Sequence, residues 1–213
     1  MTALFLSATL LLPLLQQELT HYDRLVKANP QNPNAYVRRG MAHFKLGHIT
    51  AAIQDFDQAE RLNPQLTPYL WQRGLAYYYC DRYEDGAAQF ELDLAVNGHD
   101  IEETLWRFLC LAQSRGIAEA QTLLLPAGRD PRPFMAAVYA FYAGQISATE
   151  LLQQGATEGD RGEFYTQLYL GLYYEVSQQP DLAQKHLCRA ADGYSINDYM
   201  WHLAQVHKEL RGW

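Results

Sequence analysis

The three cysteines are the most reactive side chains of the sequence, since a thiolate can act as a nucleophile, a redox centre or a metal ligand. They are Cys80, Cys110 and Cys188. They form no Cys-x-x-Cys pair, and none lies near a histidine at the spacing of a zinc site. Each lies within an apolar helical pattern, so the sequence predicts small buried hydrophobic side chains rather than a redox or metal centre.

The 7 histidines could be metal ligands or proton carriers near neutral pH. Two pairs are closely spaced, His43 with His48 and His202 with His207, each separated by five positions. On a helix this spacing does not align two ring nitrogens on one face. The histidines are therefore expected as core or surface residues, and no metal site is predicted.

Paired carboxylates could support general acid–base chemistry, and Glu102 with Glu103 is one such pair. No basic residue lies near it in sequence, so a solvated helix surface is expected. A Gly-rich phosphate loop, a G-x-S-x-G elbow and an H-E-x-x-H motif are all absent from the sequence. The sequence predicts no catalytic residue, no cofactor and no enzymatic activity.

Composition indicates a folded, acidic protein. Of the 213 residues, 48% are hydrophobic and 19% are charged, which is typical of globular chains. Aromatic residues are abundant, with 15 Tyr, 8 Phe and 4 Trp, and rings of this kind pack cores and binding surfaces. The formal net charge of −7 repels phosphate backbones, so the sequence predicts no nucleic-acid partner.

An internal repeat reveals the elements that carry these side chains. Residues 33–64 align with residues 67–98 without a gap, at an offset of 34 positions. Two Arg-Gly pairs coincide in this alignment, and Phe56 lies over Phe90. An interval of this length is that of a tetratricopeptide repeat, which is a pair of antiparallel helices, A and B.

The first window resembles that family at a set of fixed positions: Tyr36, Gly40, Gly47, Ala52, Phe56, Ala59 and Pro64. The small residues Gly40 and Ala52 allow helices A and B to approach, and Phe56 fills the space between them. Pro64 ends helix B because it cannot donate a hydrogen bond and restricts the residue before it. The second window keeps Gly74 and Phe90 but has Asp93 where alanine is usual.

The resemblance implies an all-α fold, a right-handed superhelix of about eleven helices ending in a capping helix. A clear repeat returns late in the chain, with Gly171, Ala183 and Ala190 at the small positions. We expect a single domain, residues 1–213, divided into seven segments: an apolar segment and incomplete repeat (1–30), two repeats (33–66 and 67–100), a degenerate repeat (101–125), an insertion with short helices (126–155), a further repeat (160–192) and the capping helix (196–213).

Three arginines recur at the position before the helix-A glycine or its equivalent: Arg39, Arg73 and Arg107. Such a column could bind carboxylates or phosphates of a partner. Many repeats of the resembled family carry an arginine here that forms structural ion pairs. Asp55, Asp57 and Glu91 are candidate partners, and the sequence favours the structural role.

In the resembled family the A helices line a concave groove that binds partner peptides. The corresponding positions are Val37, Met41, Phe44, Lys45, Trp71, Leu75, Tyr78 and Tyr79. Their aromatic and methionine content is typical of a peptide-binding surface. The alternative is that the N-terminal segment or the insertion at 126–155 covers these side chains.

Two subclasses of the family can be compared with this sequence. In one, lysine, asparagine and arginine clamp the acidic tail of a chaperone, but here Val37, Met41 and Gln72 occupy clamp positions. The whole pattern is similar to NlpI-like proteins of bacteria and plastids, which include dimeric lipoprotein adaptors of the cell envelope. No cysteine follows residues 2–15, so lipid anchoring by that route is not predicted.

Residues 2–15 are almost entirely apolar. They could be a targeting segment or a membrane-associated anchor, although a bilayer span needs about 20 residues. They could equally be a helix packed on the first repeat. The structural role is favoured, and membrane association and a homodimer both stay open.

The sequence thus predicts a scaffold or adaptor that holds a partner protein or peptide in the concave groove. The second hypothesis is a structural subunit or assembly factor of a larger complex, docked through the apolar N-terminus.

Overall fold

The computed structural model describes residues 8–98 and 100–213, so the predictions for residues 2–7 lie outside the described part. The helices there are α1 Ala8–Ala28, α2 Pro33–Lys45, α3 Ile49–Leu62, a 3-10 helix Pro64–Tyr69, α4 Trp71–Tyr78, α5 Tyr83–Asn97, α6 Ile101–Arg115, α7 Ile117–Thr122, α8 Pro133–Tyr142, α9 Ala148–Ala156, α10 Gly159–Val176, α11 Pro180–Gly193 and α12 Tyr199–Arg211. No strand occurs among these residues, which confirms the predicted all-α solenoid.

The ends of the first two A and B helices follow from local sequence signals. The Asn32 side chain accepts a hydrogen bond from the Asn34 backbone N–H, and Pro33 opens α2. Gly47 has a positive φ of 71°, which lets the chain reverse between α2 and α3. Helix α3 ends before Asn63, and Pro64 starts the 3-10 helix that leads to α4.

The A and B helices of each clear repeat cross at a glycine. A Cβ atom added at Gly40 would lie 2.8 Å from a Phe56 ring carbon, and one at Gly74 would lie 2.7 Å from the Phe90 ring. At Gly171 the corresponding contact is 2.6 Å from Leu187. The four alanines at the small positions are fully buried: Ala52, Ala59, Ala183 and Ala190. These crossings have no room for a larger A-helix side chain.

The arginine column ties successive B helices together. Arg39 bonds Asp23 of α1 at 3.1 Å and Asp55 of α3 at 2.6 Å. Each partner lies sixteen positions away, one before and one after the arginine. Helix α1 therefore takes the position before Arg39 that α3 takes after it.

The other two arginines repeat this pattern. Arg73 bonds Asp57 at 3.0 Å and Gln89 at 2.7 Å, and Arg107 bonds Glu91 at 2.8 Å. The Arg107 side chain also donates to the Leu123 carbonyl at 2.8 Å. The partners again lie sixteen positions on either side, so the structural role of the column is confirmed.

The second half of the chain turns the array back on itself. Helices α8 and α10 both pack against α6, and α11 packs along α10. Helix α12 packs on α11 and also contacts α2 of the first repeat. One continuous apolar core therefore runs from Phe44 to Val206.

Candidate functional site

The predicted groove residues lie together on the concave side, but they do not form an open groove. Phe44, Leu75 and Tyr78 are at most 1% exposed. Val37, Met41, Trp71 and Tyr79 are partly buried against the core. The expectation of an open aromatic surface is wrong for the three buried side chains.

Helix α12 is the element that fills the groove. The Tyr199 ring stacks on Phe44 with centroids 5.6 Å apart and meets the Trp71 ring edge-on at 5.4 Å. The Tyr79 hydroxyl lies 3.0 Å from His207 Nδ1. The sequence alternatives for a covering element were the N-terminal segment and residues 126–155. The contacts of α12 show that the C-terminal helix is the covering element instead, because the short array brings the end of the chain back to α2.

A buried carboxylate holds α12 in place. Glu175 of α10 accepts hydrogen bonds from Arg211 Nε at 2.6 Å and from the Tyr78 hydroxyl at 2.8 Å. His207 Nε2 lies 3.4 Å from the same carboxylate. Burial acts to raise the pKa of Glu175, but His207 and Arg211 outweigh it and lower the pKa to about 2. The carboxylate is therefore ionised and joins α4, α10 and α12.

Lys45, the charged residue of the predicted groove, is used within the chain. Its Nζ atom lies 2.9 Å from Glu18 of α1, and its side chain is 15% exposed. This ion pair fastens α1 to the end of α2, so Lys45 is not presented to a partner as a free cation.

The side chains of His43 and His48 lie closer together than the sequence predicted. His43 Nδ1 and His48 Nδ1 lie 3.3 Å apart, although five positions should separate them on a helix. The helical argument does not apply because α2 ends at Lys45 and His48 lies beyond the turn. No cluster of three or more potential metal ligands occurs in the described residues.

The cysteines lie where their apolar surroundings predicted. Cys110 is fully buried with its Sγ atom beside Gly86, and Cys80 and Cys188 are partly buried. Burial raises the pKa of all three thiols, so they stay protonated near neutral pH.

An open part of the concave side remains beside α12. This concave pocket has a volume of about 360 Å³ and lies between α4, α6, α10 and the start of α12. Its apolar wall consists of Trp71, Leu75, Phe90, Trp106, Tyr199 and Met200. Trp71 and Leu75 come from the predicted groove, and Phe90 was predicted as a structural repeat position. Trp106, Tyr199 and Met200 were not among the predicted site residues.

One rim of the concave pocket is made of paired charges. Arg132 bonds Glu102 at 2.5 Å and Asp130 at 2.6 Å. Arg161 bonds Asp198 at 2.9 Å, and the Tyr165 hydroxyl donates to the same carboxylate. Each guanidinium on this rim thus has a carboxylate partner within the chain.

The other part of the rim carries carboxylates without such partners. Glu103 and Asp100 line the concave pocket, and the completely buried Asp93 lies behind them. The Asn97 amide donates to both Asp93 and Glu103. Among the described residues, no arginine, lysine or histidine forms an ion pair with any of the three carboxylates.

The clustering changes the acidity of these groups. Burial and the nearby Asp93 and Asp100 charges raise the pKa of Glu103, and burial is the main cause that raises the pKa of Asp93. The expectation of a solvated Glu102–Glu103 pair is wrong, because both side chains turn inward at the start of α6. Asp93 in place of the usual alanine was the one sequence signal of this cluster.

The first clear helix pair, α2 and α3, matches a known family model. The family model described as "Tetratricopeptide repeat" matches residues 33–66. The match spans α2 and α3, the helix pair that crosses at Gly40 and Phe56.

Several curated proteins are similar to part of this chain. "Protein SGT1 homolog" of Oryza sativa subsp. japonica is 31% identical over 37% of this chain and 22% of its own length. "Hsp70-Hsp90 organizing protein 2" of Arabidopsis thaliana is 24% identical over 35% of this chain and 13% of its own. "Tetratricopeptide repeat protein 28" of Homo sapiens is 28% identical over 38% of this chain and 3% of its own. The chain thus spans less than a third of each of these relatives.

Proposed function

We propose that this protein is a non-enzymatic adaptor that holds a partner protein on its concave side, at the concave pocket beside Trp71. The observation that carries the proposal is the combination of a filled groove with an adjacent opening. Helix α12 packs on Phe44 and Tyr79, while Trp71 stays partly exposed at the pocket. Partly exposed tryptophans beside a pocket are typical anchors of protein interfaces.

The relatives support a role in protein–protein interaction. One is named as an organiser of Hsp70 and Hsp90, which are themselves proteins. The clamp positions of this chain favour a different mode of recognition. Gln72 is buried, and its amide nitrogen lies 3.8 Å from the Met41 sulfur rather than facing a partner carboxylate. We therefore propose an adaptor that does not depend on an acidic chaperone tail.

Affinity capture with point variants tests the site. Trp71→Ala removes the exposed anchor, and Tyr69→Ala removes a neighbouring ring that is 53% exposed but does not line the pocket. We expect Trp71→Ala to lose the proteins recovered with wild type and Tyr69→Ala to keep them. Circular dichroism checks that both variants are folded. Equal recovery of the same proteins by all three would refute the assignment.

A second candidate function is docking into a larger assembly through α1. Leu12 and Leu14 are 52% and 51% exposed, and Leu12 lines a pocket of about 450 Å³ between α1 and α12. No described helix combines the length and the apolar character needed to cross a membrane. The resemblance to NlpI-like adaptors extends this candidate to a homodimer or an envelope complex.

Leucine variants of α1 test the second candidate. Leu12→Ser with Leu14→Ser should release the protein from a complex isolated from its native cells, because exposed leucines stabilise interfaces by burial. Leu182→Ser, at a leucine of α11 that is 37% exposed, is the matched control. Retention of the α1 variant in the complex would exclude this docking surface.

A further inference from the structure

The concave pocket has chemistry that selects for a positively charged group. On the Asp100 and Glu103 rim, carboxylates meet the apolar wall formed by Trp71 and Trp106. The arginines on the other rim already have carboxylate partners. The side of the pocket beside the indoles therefore has unbalanced negative charge.

A second observation indicates that this part of the pocket lacks a partner group. Trp106 is only 2% exposed, yet its indole Nε1–H has no hydrogen-bond acceptor. Glu103 and Asp93 hydrogen-bond each other through a shared proton, so Trp106 carries an unpartnered polar atom of the pocket. Buried polar atoms of native proteins are normally satisfied, so unsatisfied ones at a pocket point to a ligand.

We propose that the concave pocket binds the side chain of a lysine or arginine presented by the partner protein. The carboxylates of Asp100 and Glu103 accept hydrogen bonds from the ammonium or guanidinium group. The faces of Trp71 and Trp106 attract the same cation, and the Trp106 N–H can donate to a carbonyl of the partner backbone. This inference rests on the proposed adaptor function and names the chemistry that the pocket recognises.

The size of the site fits this ligand. A volume of about 360 Å³ is at the small end of the range for ligand pockets and holds one long side chain rather than a helix. The interior Tyr165 shows that cations already pack on rings here, since the guanidinium carbons of Arg132 and Arg161 lie 5.5 and 5.7 Å from its centroid.

Proton release is an expected consequence of binding. Glu103, Asp93 and Asp100 face one another, and burial together with these negative charges raises the pKa of Glu103. The neutral Asn97 amide donates to Glu103, and Glu102, which is paired with Arg132, lies near Asp100. A cation favours ionised Glu103, so binding should strengthen as pH rises, by up to about tenfold per pH unit.

The test uses the whole protein and three small probes. These are the N-acetyl methylamides of arginine, lysine and the neutral isostere norleucine. Nuclear magnetic resonance of the indole N–H groups reports binding directly at Trp71 and Trp106. We expect saturable shifts with the arginine and lysine probes, stronger at about pH 9 than at about pH 6 for arginine, and none with norleucine.

Charge-removing variants establish which side chains act. Asp100→Asn keeps a residue that can cap α6, and Glu103→Gln keeps the shape of the side chain. Each should weaken the arginine probe about tenfold, as expected for loss of a charged hydrogen bond. Glu158→Gln, at an exposed carboxylate outside the pocket, should leave the affinity unchanged.

The outcomes separate this inference from the proposed function. Equal binding of norleucine, no saturable shift, or unchanged affinity in both variants would overturn the cation site. If the probes show no cation site while Trp71→Ala still loses its partner proteins, the adaptor function stands, and the pocket recognises a different chemical group. If the arginine probe binds as expected while Trp71→Ala keeps all partners, the cation site stands and the adaptor function at this pocket fails.

Discussion

Replacing Glu175 with glutamine should loosen the closure of the array by α12. Glu175→Gln keeps the size of the side chain but removes the charge that faces Arg211 at 2.6 Å and His207 at 3.4 Å. The Arg211 side chain is 30% exposed, so most of it is buried. In the variant its guanidinium loses an ionic partner, and this is more costly inside a protein than at its surface.

The magnitude follows from the acidity of the carboxyl. Its pKa falls from 4.5 to about 2 in the folded protein. One pKa unit corresponds to about 1.4 kcal/mol, so the ionised form contributes about 3 kcal/mol to stability near neutral pH. Because the folded pKa is depressed, this contribution is present above pH 4.5 and is lost as pH falls from 4.5 toward 2.

Urea denaturation followed by circular dichroism measures the effect. At neutral pH the free energy of unfolding of Glu175→Gln should be about 3 kcal/mol lower than that of wild type, and the difference should shrink as pH falls below about 4. Glu158→Gln, at an exposed position at the start of α10, should match wild type throughout. A difference that stays constant from neutral pH to about pH 3 would refute the assigned role of the charge.

Two further predictions concern packing and buried charge. Gly74→Ala would place a Cβ atom 2.7 Å from the Phe90 ring, so a loss of about 1–3 kcal/mol in unfolding free energy is expected from thermal denaturation. An unchanged melting temperature would show that the ring moves aside freely. The pKa of Glu103 is raised above its ordinary value of 4.5 in the folded protein, so the unfolded chain releases this proton more readily. The folded state is therefore destabilised increasingly as pH rises above 4.5. Glu103→Gln should therefore be more stable than wild type at about pH 9 and equal to it near pH 4.5, and the reverse order would contradict this reasoning.

Much of the repeat could be predicted from sequence because its contacts join residues that lie a fixed number of positions apart. Gly40 meets Phe56 and Gly74 meets Phe90, each pair separated by sixteen positions across one helical hairpin. The arginine column obeys the same interval, as the Arg39–Asp55 pair shows. A contact within one hairpin depends only on helix geometry and the turn, and both recur wherever the sequence motif recurs.

The candidate site was predicted less well because it depends on contacts between distant helices. Rings at the predicted groove positions contact one another, as Phe44 and Tyr79 do, yet the sequence did not indicate that Phe44 would pack under Tyr199. The inward turn of Glu103 was also missed, because its acidic neighbour Asp93 belongs to the preceding helix. Periodicity describes one helix at a time and carries no information on which remote face it meets.

The sequence by itself therefore determined the helical pairs, their glycine crossings and the arginines that join them. Only the tertiary structure decided that the array closes, with Tyr78 bonded to Glu175 across 97 positions and Tyr79 beside His207 across 128. The physical reason is that small rotations between successive repeats add up along a solenoid. The position of the last helix, α12, depends on the sum of these rotations. In this chain α12 fills the rest of the groove and leaves the concave pocket open at Trp71.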